Sequence, residues 1–200
     1  MLLAARMALG TAIGLATAVM PATPPHEVAR LHATVLFVDI VDSTRRAIEL
    51  GDSQWLDLRE AHEGMIRRAL RQFGGHCLQL LGDGVLAMFD NPAAGVCCAT
   101  RVADGSRTFD LEVRAGLHSG ECERRGKRFG GIVFHVAARV VGCARASEVL
   151  VTDAVKRLLT DRRFSFADRG ARSLKGLPGE WPLFAVAGTP GRANAGHVAL

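Results

Sequence analysis

Two aspartates stand where apolar runs end, and their placement suits the binding of a cation. Asp39 closes the run 35–38, whose four apolar β-forming residues predict a buried strand. Asp83 lies within Gly82-Asp83-Gly84, where glycine's access to positive φ suits a tight hairpin turn. Two neighbouring carboxylates repel unless a cation lies between them, and hard oxygen ligands suit Mg²⁺ or Mn²⁺. Taken singly, Asp39 also fits a helix cap and Asp83 an ordinary turn residue.

The elements around the two aspartates decide whether they meet. Apolar residues at three- and four-residue spacing predict a helix over 43–73, and Asn91-Pro92 predicts the start of a second helix that runs to about residue 105. Residues 111–117 alternate as a strand does. The order is β-α-β-β-α-β, the ferredoxin-like arrangement, in which right-handed crossovers place the third strand antiparallel to the first. Asp39 and Asp83 are therefore predicted to be neighbours at one sheet edge.

The pattern after the sixth element predicts an extension of the same sheet. Residues 148–151 read as a strand, followed by a short helix capped by Thr152. A strand near 164–166 and a hairpin turning at Pro178-Gly179 complete it. The predicted fold is α+β, with a ferredoxin-like core sheet and a C-terminal αβ extension.

Five sequence blocks between about residues 33 and 186 resemble the class III adenylyl/guanylyl cyclase catalytic domain, in its bacterial, actinobacterial-type versions. The blocks are Phe37-Val-Asp-Ile-Val-Asp-Ser-Thr44, Leu81-Gly-Asp-Gly-Val-Leu-Ala87, Val113-Arg-Ala-Gly-Leu-His-Ser-Gly-Glu-Cys122, Gly130-Gly-Ile-Val-Phe-His-Val-Ala-Ala-Arg-Val140 and Leu174-Lys-Gly176. The resemblance implies cyclisation of a nucleoside triphosphate to a 3′,5′-cyclic monophosphate and pyrophosphate. It also implies a head-to-tail homodimer whose sites take residues from both chains.

The resemblance assigns roles residue by residue. The family's two metal aspartates, which hold two Mg²⁺ or Mn²⁺ ions, fall on Asp39 and Asp83. Its transition-state arginine falls on Arg139, on a helix predicted from about Gly131 to Cys143, and its triphosphate-binding lysine on Lys175. His135 stands where the family usually has the Asn that orients the ribose, and a buried or interface histidine is an equally good interpretation.

The two base-selecting positions depart from the adenylyl pattern. Gln79 stands where adenylyl cyclases usually carry Lys, and Arg128 where they carry Asp. A glutamine amide can both donate to and accept from adenine, whereas a guanidinium only donates and so cannot accept from the 6-amino group. Arg128 also fits a basic, exposed hairpin loop over 124–128. The substrate stays open between ATP and GTP, and the alternative is a weakly active or inactive cyclase-like nucleotide-binding or dimerisation module.

Position 42, where many family members have Gly, carries Asp42 in the loop that opens the first helix. Such a loop presents N–H groups to phosphates, so a carboxylate there would add charge beside the anion. We favour the other interpretation, in which Asp42 caps the helix through Ser43-Thr44 and points away.

Composition fits one domain that binds polyanions. The chain has 200 residues, 48% of them apolar, and a formal charge of +5. Nucleic acid is not an expected partner, because Tyr is absent, aromatics make up only 6% and no stacking motif stands out. Five cysteines form no CxxC pair, and their odd number argues for a reducing cytoplasm rather than a disulfide framework.

The termini differ from the predicted domain at 31–187. Residues 1–20 are apolar except for Arg6 and two threonines, and Pro-rich 21–25 reads as a linker. The start resembles a secretory signal, yet the run 7–20 is shorter than the roughly 20 residues of a membrane span. Because export would remove the domain from cytosolic ATP, we favour a cytoplasmic domain whose extra segment is a weak membrane anchor or a non-native extension. The Gly/Ala-rich tail, 188–200, is predicted to be loose.

Overall fold

The computed structural model describes residues 28–190, so the predictions for 1–25 and for most of the loose tail at 188–200 lie outside the described residues. The tail prediction is wrong at Gly188, which pairs with Ser165 at the end of a strand. The strands are β1 (Val28–Ile40), β2 (His76–Leu80), β3 (Gly84–Phe89), β4 (Val113–Arg125), β5 (Arg128–Gly130), β6 (Val149–Thr152), β7 (Ser165–Ser173) and β8 (Glu180–Gly188). The helices are α1 (Ser43–Leu50), α2 (Asp52–Gln72), α3 (Pro92–Ser106), α4 (Ile132–Cys143) and α5 (Asp153–Leu158). Within this part of the chain, no helix combines the length and the apolar character needed to cross a membrane.

The sheet has the predicted topology. Its strand order is β2-β3-β1-β4-β6-β8-β7, with β5 paired to β4. The first four strands are the ferredoxin-like core, because β1 lies antiparallel between β3 and β4. Beyond them, β6 runs parallel to β4, and β8 and β7 continue the sheet in antiparallel pairs. The α+β fold with a C-terminal extension is confirmed.

Alternation along β1 sends its side chains to two different layers. Leu36, Val38 and Ile40 belong to the large core cluster that α2 and α3 cover. Val35 and Phe37 pack on the opposite face with residues of α4. The side chain after Phe37 on that second face is Asp39, so the predicted metal ligand shares a face with α4.

Helix α4 lies directly on the backbone of β4. A Cβ built at Gly116 would stand 2.2 Å from the backbone nitrogen of Val141, a distance that only glycine permits. This close approach fixes the height of α4 above the sheet and hence the positions of His135 and Arg139.

The single helix predicted over 43–73 is wrong, because α1 ends at Leu50 and α2 begins at Asp52. Gly51 between them has φ of 74°, a left-handed conformation that an α-helix cannot contain. Its N–H donates to the Ala47 carbonyl at 2.9 Å and its carbonyl accepts from the Trp55 N–H at 3.0 Å. Gly51 thus ends one helix and starts the next.

Two of the predicted side-chain caps do not form. Asp42 precedes α1 but has φ of 53°, and its carboxylate accepts from Arg45 at 3.2 Å instead of capping. An N-cap residue normally needs an extended backbone to aim its oxygen at the first turn, which explains the difference. Thr152 precedes α5 without capping because its hydroxyl bonds to His118. At α3 the expected cap is present, since Asn91 Oδ1 accepts from the Ala93 N–H at 2.9 Å.

Candidate functional site

The sheet brings Asp39 and Asp83 to one edge. Asp39 at the end of β1 is the register partner of Gly84, the residue that follows Asp83 and opens β3. The Ile40 N–H donates to the Asp83 carbonyl at 2.9 Å, which ties the turn to the end of β1. Gly84 itself allows this approach, because a Cβ there would lie 2.1 Å from the Val38 carbonyl oxygen. The predicted neighbourhood of the two aspartates is therefore confirmed.

Each of these carboxylates has one partner. Arg114 of β4 donates from Nε and Nη2 to Asp39 Oδ2, at 2.8 and 2.5 Å. Ser43, the first residue of α1, donates its hydroxyl to Asp83 Oδ2 at 2.7 Å. All four side chains line one open cleft of about 580 Å³, and we call Asp39, Asp83, Ser43 and Arg114 the carboxylate group.

The donor set of the carboxylate group fits a divalent cation. Two carboxylates from different elements converge on one cleft, and their oxygens are the ligands that Mg²⁺ and Mn²⁺ prefer. Arg114 gives Asp39 the positive charge that such an ion would give it, while the other oxygen of each carboxylate has no partner within residues 28–190. Across the same residues, no three His, Cys, Asp or Glu side chains cluster. Two aspartates alone leave coordination positions for water and substrate oxygens.

Sequence reasoning missed Arg114 and Ser43. The alternation of β4 places Arg114 on a strand, but its contact with Asp39 depends on the register between β1 and β4. Ser43 was considered only as part of a helix start, and its bond to Asp83 joins residues 40 positions apart. A prediction of register would have found Arg114, because Asp39 and Arg114 are direct register partners.

A second cleft, of about 460 Å³, collects three predicted site residues. Gln79 of β2, Arg128 of β5 and His135 of α4 line it together. Phe129 and Phe134 contribute aromatic rings to the same wall. All three polar side chains belong to exposed residues, so the interpretation of His135 as a buried histidine is wrong. The arrangement offers apolar surface with amide, guanidinium and imidazole groups at its edge, as the binding of a planar polar ring requires.

Arg139 and Lys175 lie beside each other. Arg139 is one turn beyond His135 on α4, on the exposed side of the helix. Its Nε donates to the backbone carbonyl of Lys175 at 3.2 Å. Lys175 is exposed in the loop that joins β7 to β8, so two positive charges share one surface. We call Gln79, Arg128, His135, Arg139 and Lys175 the base and phosphate group, after the nucleotide-binding roles that the family resemblance implies for them.

The carboxylate group and the base and phosphate group do not form one pocket in a single chain. The cleft around Asp39 and the cleft around Gln79 have no lining residue in common. The structure of one chain thus groups the predicted site residues in three places: Asp39 with Asp83, Gln79 with Arg128 and His135, and Arg139 with Lys175.

Comparison with known proteins identifies the family. The sequence model of the adenylate and guanylate cyclase catalytic domain family matches residues 28–188. A pH-sensitive adenylate cyclase of Mycobacterium tuberculosis is 30% identical over an alignment of 173 residues that covers 83% of this chain and 43% of the relative. This chain therefore belongs to the adenylate and guanylate cyclase catalytic domain family, and it spans less than half the length of that curated relative.

Solved structures share the fold. The adenylyl cyclase CyaB from P. aeruginosa superposes with a TM-score of 0.76 at 21% identity, covering 85% of this chain and 100% of that chain. An adenylate/guanylate cyclase/hydrolase from Silicibacter pomeroyi has a TM-score of 0.71 at 24% identity, covering 80% and 98%. These structures confirm the fold class predicted from sequence, and the family model together with the M. tuberculosis relative confirms the family resemblance.

Proposed function

We propose that this domain is a nucleotide cyclase that converts ATP or GTP to the 3′,5′-cyclic nucleotide and pyrophosphate. The observation that carries the proposal is the pairing of Asp39 with Gly84, which sets Asp39 and Asp83 side by side at one open edge. A triphosphate carries several negative charges, so its site needs both metal ions and positively charged side chains. The product would act as a second messenger. Because the substrate, ATP or GTP, is a cytosolic nucleotide, we infer that the reaction takes place in the cytoplasm.

Asp39 and Asp83 would hold two Mg²⁺ or Mn²⁺ ions, and bound ions there would supply activation of the ribose 3′-hydroxyl and charge neutralisation of the leaving pyrophosphate. A cation could bind the Asp39 Oδ1 atom, which has no partner within residues 28–190, while Arg114 keeps its bonds to Oδ2. The Arg114 guanidinium would then lie beside the bound cation and could add a charge-assisted hydrogen bond to the polyphosphate.

Arg139 and Lys175 supply the protein's share of positive charge. The guanidinium of Arg139 suits the charge that develops on the α-phosphoryl oxygens, and the Lys175 ammonium suits the terminal phosphates. His135 lies one helical turn from Arg139 and would orient the ribose. Because the cleft of the carboxylate group and the cleft lined by Gln79, Arg128 and His135 share no residue in one chain, we propose that each site combines the carboxylate group of one protomer with the base and phosphate group of the other.

The alternative function is a nucleotide-binding or dimerisation module with little or no turnover. The observation that favours it is the presence of Arg128 beside Gln79 in the second cleft, since donors dominate where adenine also needs an acceptor. The intact carboxylate group favours catalysis, and we place the cyclase first.

Removal of one carboxylate charge tests the proposal. Asp39→Asn or Asp83→Asn should remove most of the Mn²⁺-supported formation of cyclic product from ATP and GTP, because the cation loses a charged ligand. Asp57→Asn, at an exposed position of α2, is the matched control and should leave the rate unchanged. Thermal unfolding of all three variants checks that the fold persists. A wild-type rate in Asp39→Asn or Asp83→Asn would overturn the metal assignment.

Base choice tests the roles of Gln79 and Arg128. An unmade buried hydrogen bond costs roughly 1–3 kcal/mol, or about one to two factors of ten in discrimination. We therefore expect the natural chain to select poorly between ATP and GTP, and the double change Gln79→Lys with Arg128→Asp to raise ATP turnover and its preference over GTP. Side-by-side kcat/KM values for the two nucleotides measure this. Strong ATP selectivity of the natural chain would show that these positions do not read the base.

A further inference from the structure

The loop between β7 and β8, residues 174–179, sets the positions of two of the proposed functional cations. It carries Lys175, and the Lys175 carbonyl accepts the Nε hydrogen of Arg139 at 3.2 Å. Any movement of this loop therefore displaces the Lys175 ammonium and removes the contact that holds the Arg139 guanidinium. Both side chains belong to exposed residues, and solvent water does not hold an exposed side chain in one fixed position.

Within the loop, a few contacts limit its movement. Leu174 is buried at 2% exposure in a cluster under α4, and the Leu177 N–H donates to the Leu174 carbonyl at 2.9 Å. Gly176 and Gly179 both have positive φ, at 80° and 75°, which closes the chain tightly but adds no side-chain contact. The loop needs a further support after Leu177.

Trp181 provides that support from the start of β8. Its indole Nε1–H donates to the Pro178 carbonyl at 3.2 Å, and its ring packs on the same cluster as Leu174 and Leu177. The Trp181 side chain thus holds the Pro178 end of the loop by a hydrogen bond and the Leu174 end by apolar packing.

His118 fixes the ring of Trp181 from below. The two rings meet edge to face, with centroids 5.7 Å apart and planes at 83°. His118 lies on β4 with 8% exposure, and its Nδ1 shares a hydrogen bond of 2.8 Å with Thr152 Oγ1 at the end of β6. Contacts on two strands of the sheet therefore fix the imidazole, and through it the indole. This role also accounts for the hydroxyl of Thr152 bonding to His118 instead of capping α5.

We propose that Trp181, seated on His118, is a positioning residue that fixes the 174–179 loop and thereby aligns Lys175 and Arg139 for the substrate's phosphates. The inference rests on the proposed function for the consequence in catalysis, while the bracing of the loop stands on the contacts of the free chain. Trp181 itself touches neither the carboxylate group nor the second cleft.

Trp181→Phe is the informative change. Phenylalanine keeps an aromatic ring at this position, and it removes the N–H that holds the Pro178 carbonyl together with part of the packed ring surface. The matched control is Trp55→Phe, the same substitution at the other tryptophan of the chain, which packs half-buried on α2 against the large core.

Hydrogen exchange in the free protein tests the bracing without any reliance on turnover. In Trp181→Phe the amides of 174–179 should exchange faster than in the natural chain, while β1 and β4 keep their protection. Trp55→Phe should leave the loop amides unchanged. Loop exchange identical in Trp181→Phe and the natural chain would overturn the proposal.

Steady-state kinetics test the consequence. A neutral hydrogen bond is worth about a factor of five, so kcat in Trp181→Phe should fall about five-fold and KM for the triphosphate should rise. In the Lys175→Ala background the same change should no longer raise KM. An undiminished rise of KM in that background would show that Trp181 does not act through Lys175.

Thr152→Val provides a second variant if Trp181→Phe fails to fold. It removes the partner of His118 Nδ1 and should produce a smaller loss of the same kind, with faster exchange confined to the loop. A protein without turnover whose loop nevertheless loosens in Trp181→Phe would refute the proposed function and leave the bracing intact. Turnover that is present while neither variant changes the loop or the rate would refute the bracing alone.

Discussion

At the scale of single residues, His62 shows how a buried polar contact makes stability depend on pH. Ser106 Oγ uses its one hydrogen to donate to the Val102 carbonyl at 2.8 Å, so it accepts from His62 Nε2–H, also at 2.8 Å. The edge of His62 meets the Phe109 ring, with centroids 5.7 Å apart. Burial disfavours the imidazolium and lowers the pKa of His62 to about 4.

We predict that the protein loses stability as the pH falls from about 6.5 to about 4, because His62 binds a proton at a higher pH in the unfolded chain than in the folded chain. The free energy of unfolding should drop on the order of 3 kcal/mol for this group across that window. His62→Gln retains a donor toward Ser106 and cannot titrate, so its melting temperature should change less with pH. Burial also lowers the pKa of His118 to about 4, so part of the slope should persist in this variant.

Parallel pH profiles for the natural chain and His62→Gln would contradict the prediction. Glu63→Gln, at the neighbouring position on α2, is a suitable control, because the carboxylate of Glu63 pairs with Arg67 in the solvent and not in the core.

The proximity of Asp39 and Asp83 could be predicted because it needs only a strand, a turn and the handedness of crossovers. The partners of these aspartates could not be predicted the same way. The contact of Arg114 with Asp39 depends on a register across 75 positions of chain, and a shift by one residue would turn Arg114 to the other face.

At the scale of elements, two glycines in one amphipathic pattern show that apolar periodicity does not predict where one helix ends and the next begins. Gly51 separates α1 from α2 with φ of 74°, whereas Gly64 lies inside α2 as an ordinary helical residue. Both stand in a helical pattern of apolar spacing, so periodicity alone does not distinguish them. The signal that does is local: Gly51 is followed by Asp52-Ser53, residue types that favour the start of a helix, whereas Gly64 lies between Glu63 and Met65.

The close packing of α4 on β4 can be tested by adding one methyl group. Gly116→Ala would put a Cβ 2.2 Å from the Val141 backbone nitrogen, so the helix must move away from the sheet or the protein must unfold at a lower temperature. We predict a loss of about 1–3 kcal/mol in the free energy of unfolding, together with reduced turnover, because α4 carries His135 and Arg139. Urea unfolding and the cyclase assay measure the two effects.

Gly142→Ala is the matched control for that change, since nothing lies within 4 Å of a Cβ at this position of the same helix. Alanine is a better helix former than glycine, so this variant should be as stable as the natural chain or up to about 1 kcal/mol more stable. Equal stability of Gly116→Ala and Gly142→Ala would contradict the packing described for α4.

At the scale of the whole molecule, the two predicted metal aspartates line one cleft and Gln79, Arg128 and His135 line another, and a dimer is the simplest way to join them. A two-fold symmetric dimer with composite sites has two equivalent active sites, each with one carboxylate group and one base and phosphate group. A chain with Asp39→Asn retains its Arg139, and a chain with Arg139→Ala retains its Asp39. One site of a mixed dimer would then contain both intact groups.

We predict that an equal mixture of Asp39→Asn and Arg139→Ala chains, each inactive alone, recovers about a quarter of the natural activity, because half of the dimers are mixed and each has one intact site. The control mixture combines Asp39→Asn with Asp83→Asn. Both changes then damage the carboxylate group, so neither site of a mixed dimer is intact and no activity should return. Affinity tags on the two chains verify that mixed dimers form. Absence of recovery in verified Asp39→Asn/Arg139→Ala dimers would mean that each chain carries its own site, despite the separation of the two clefts within it.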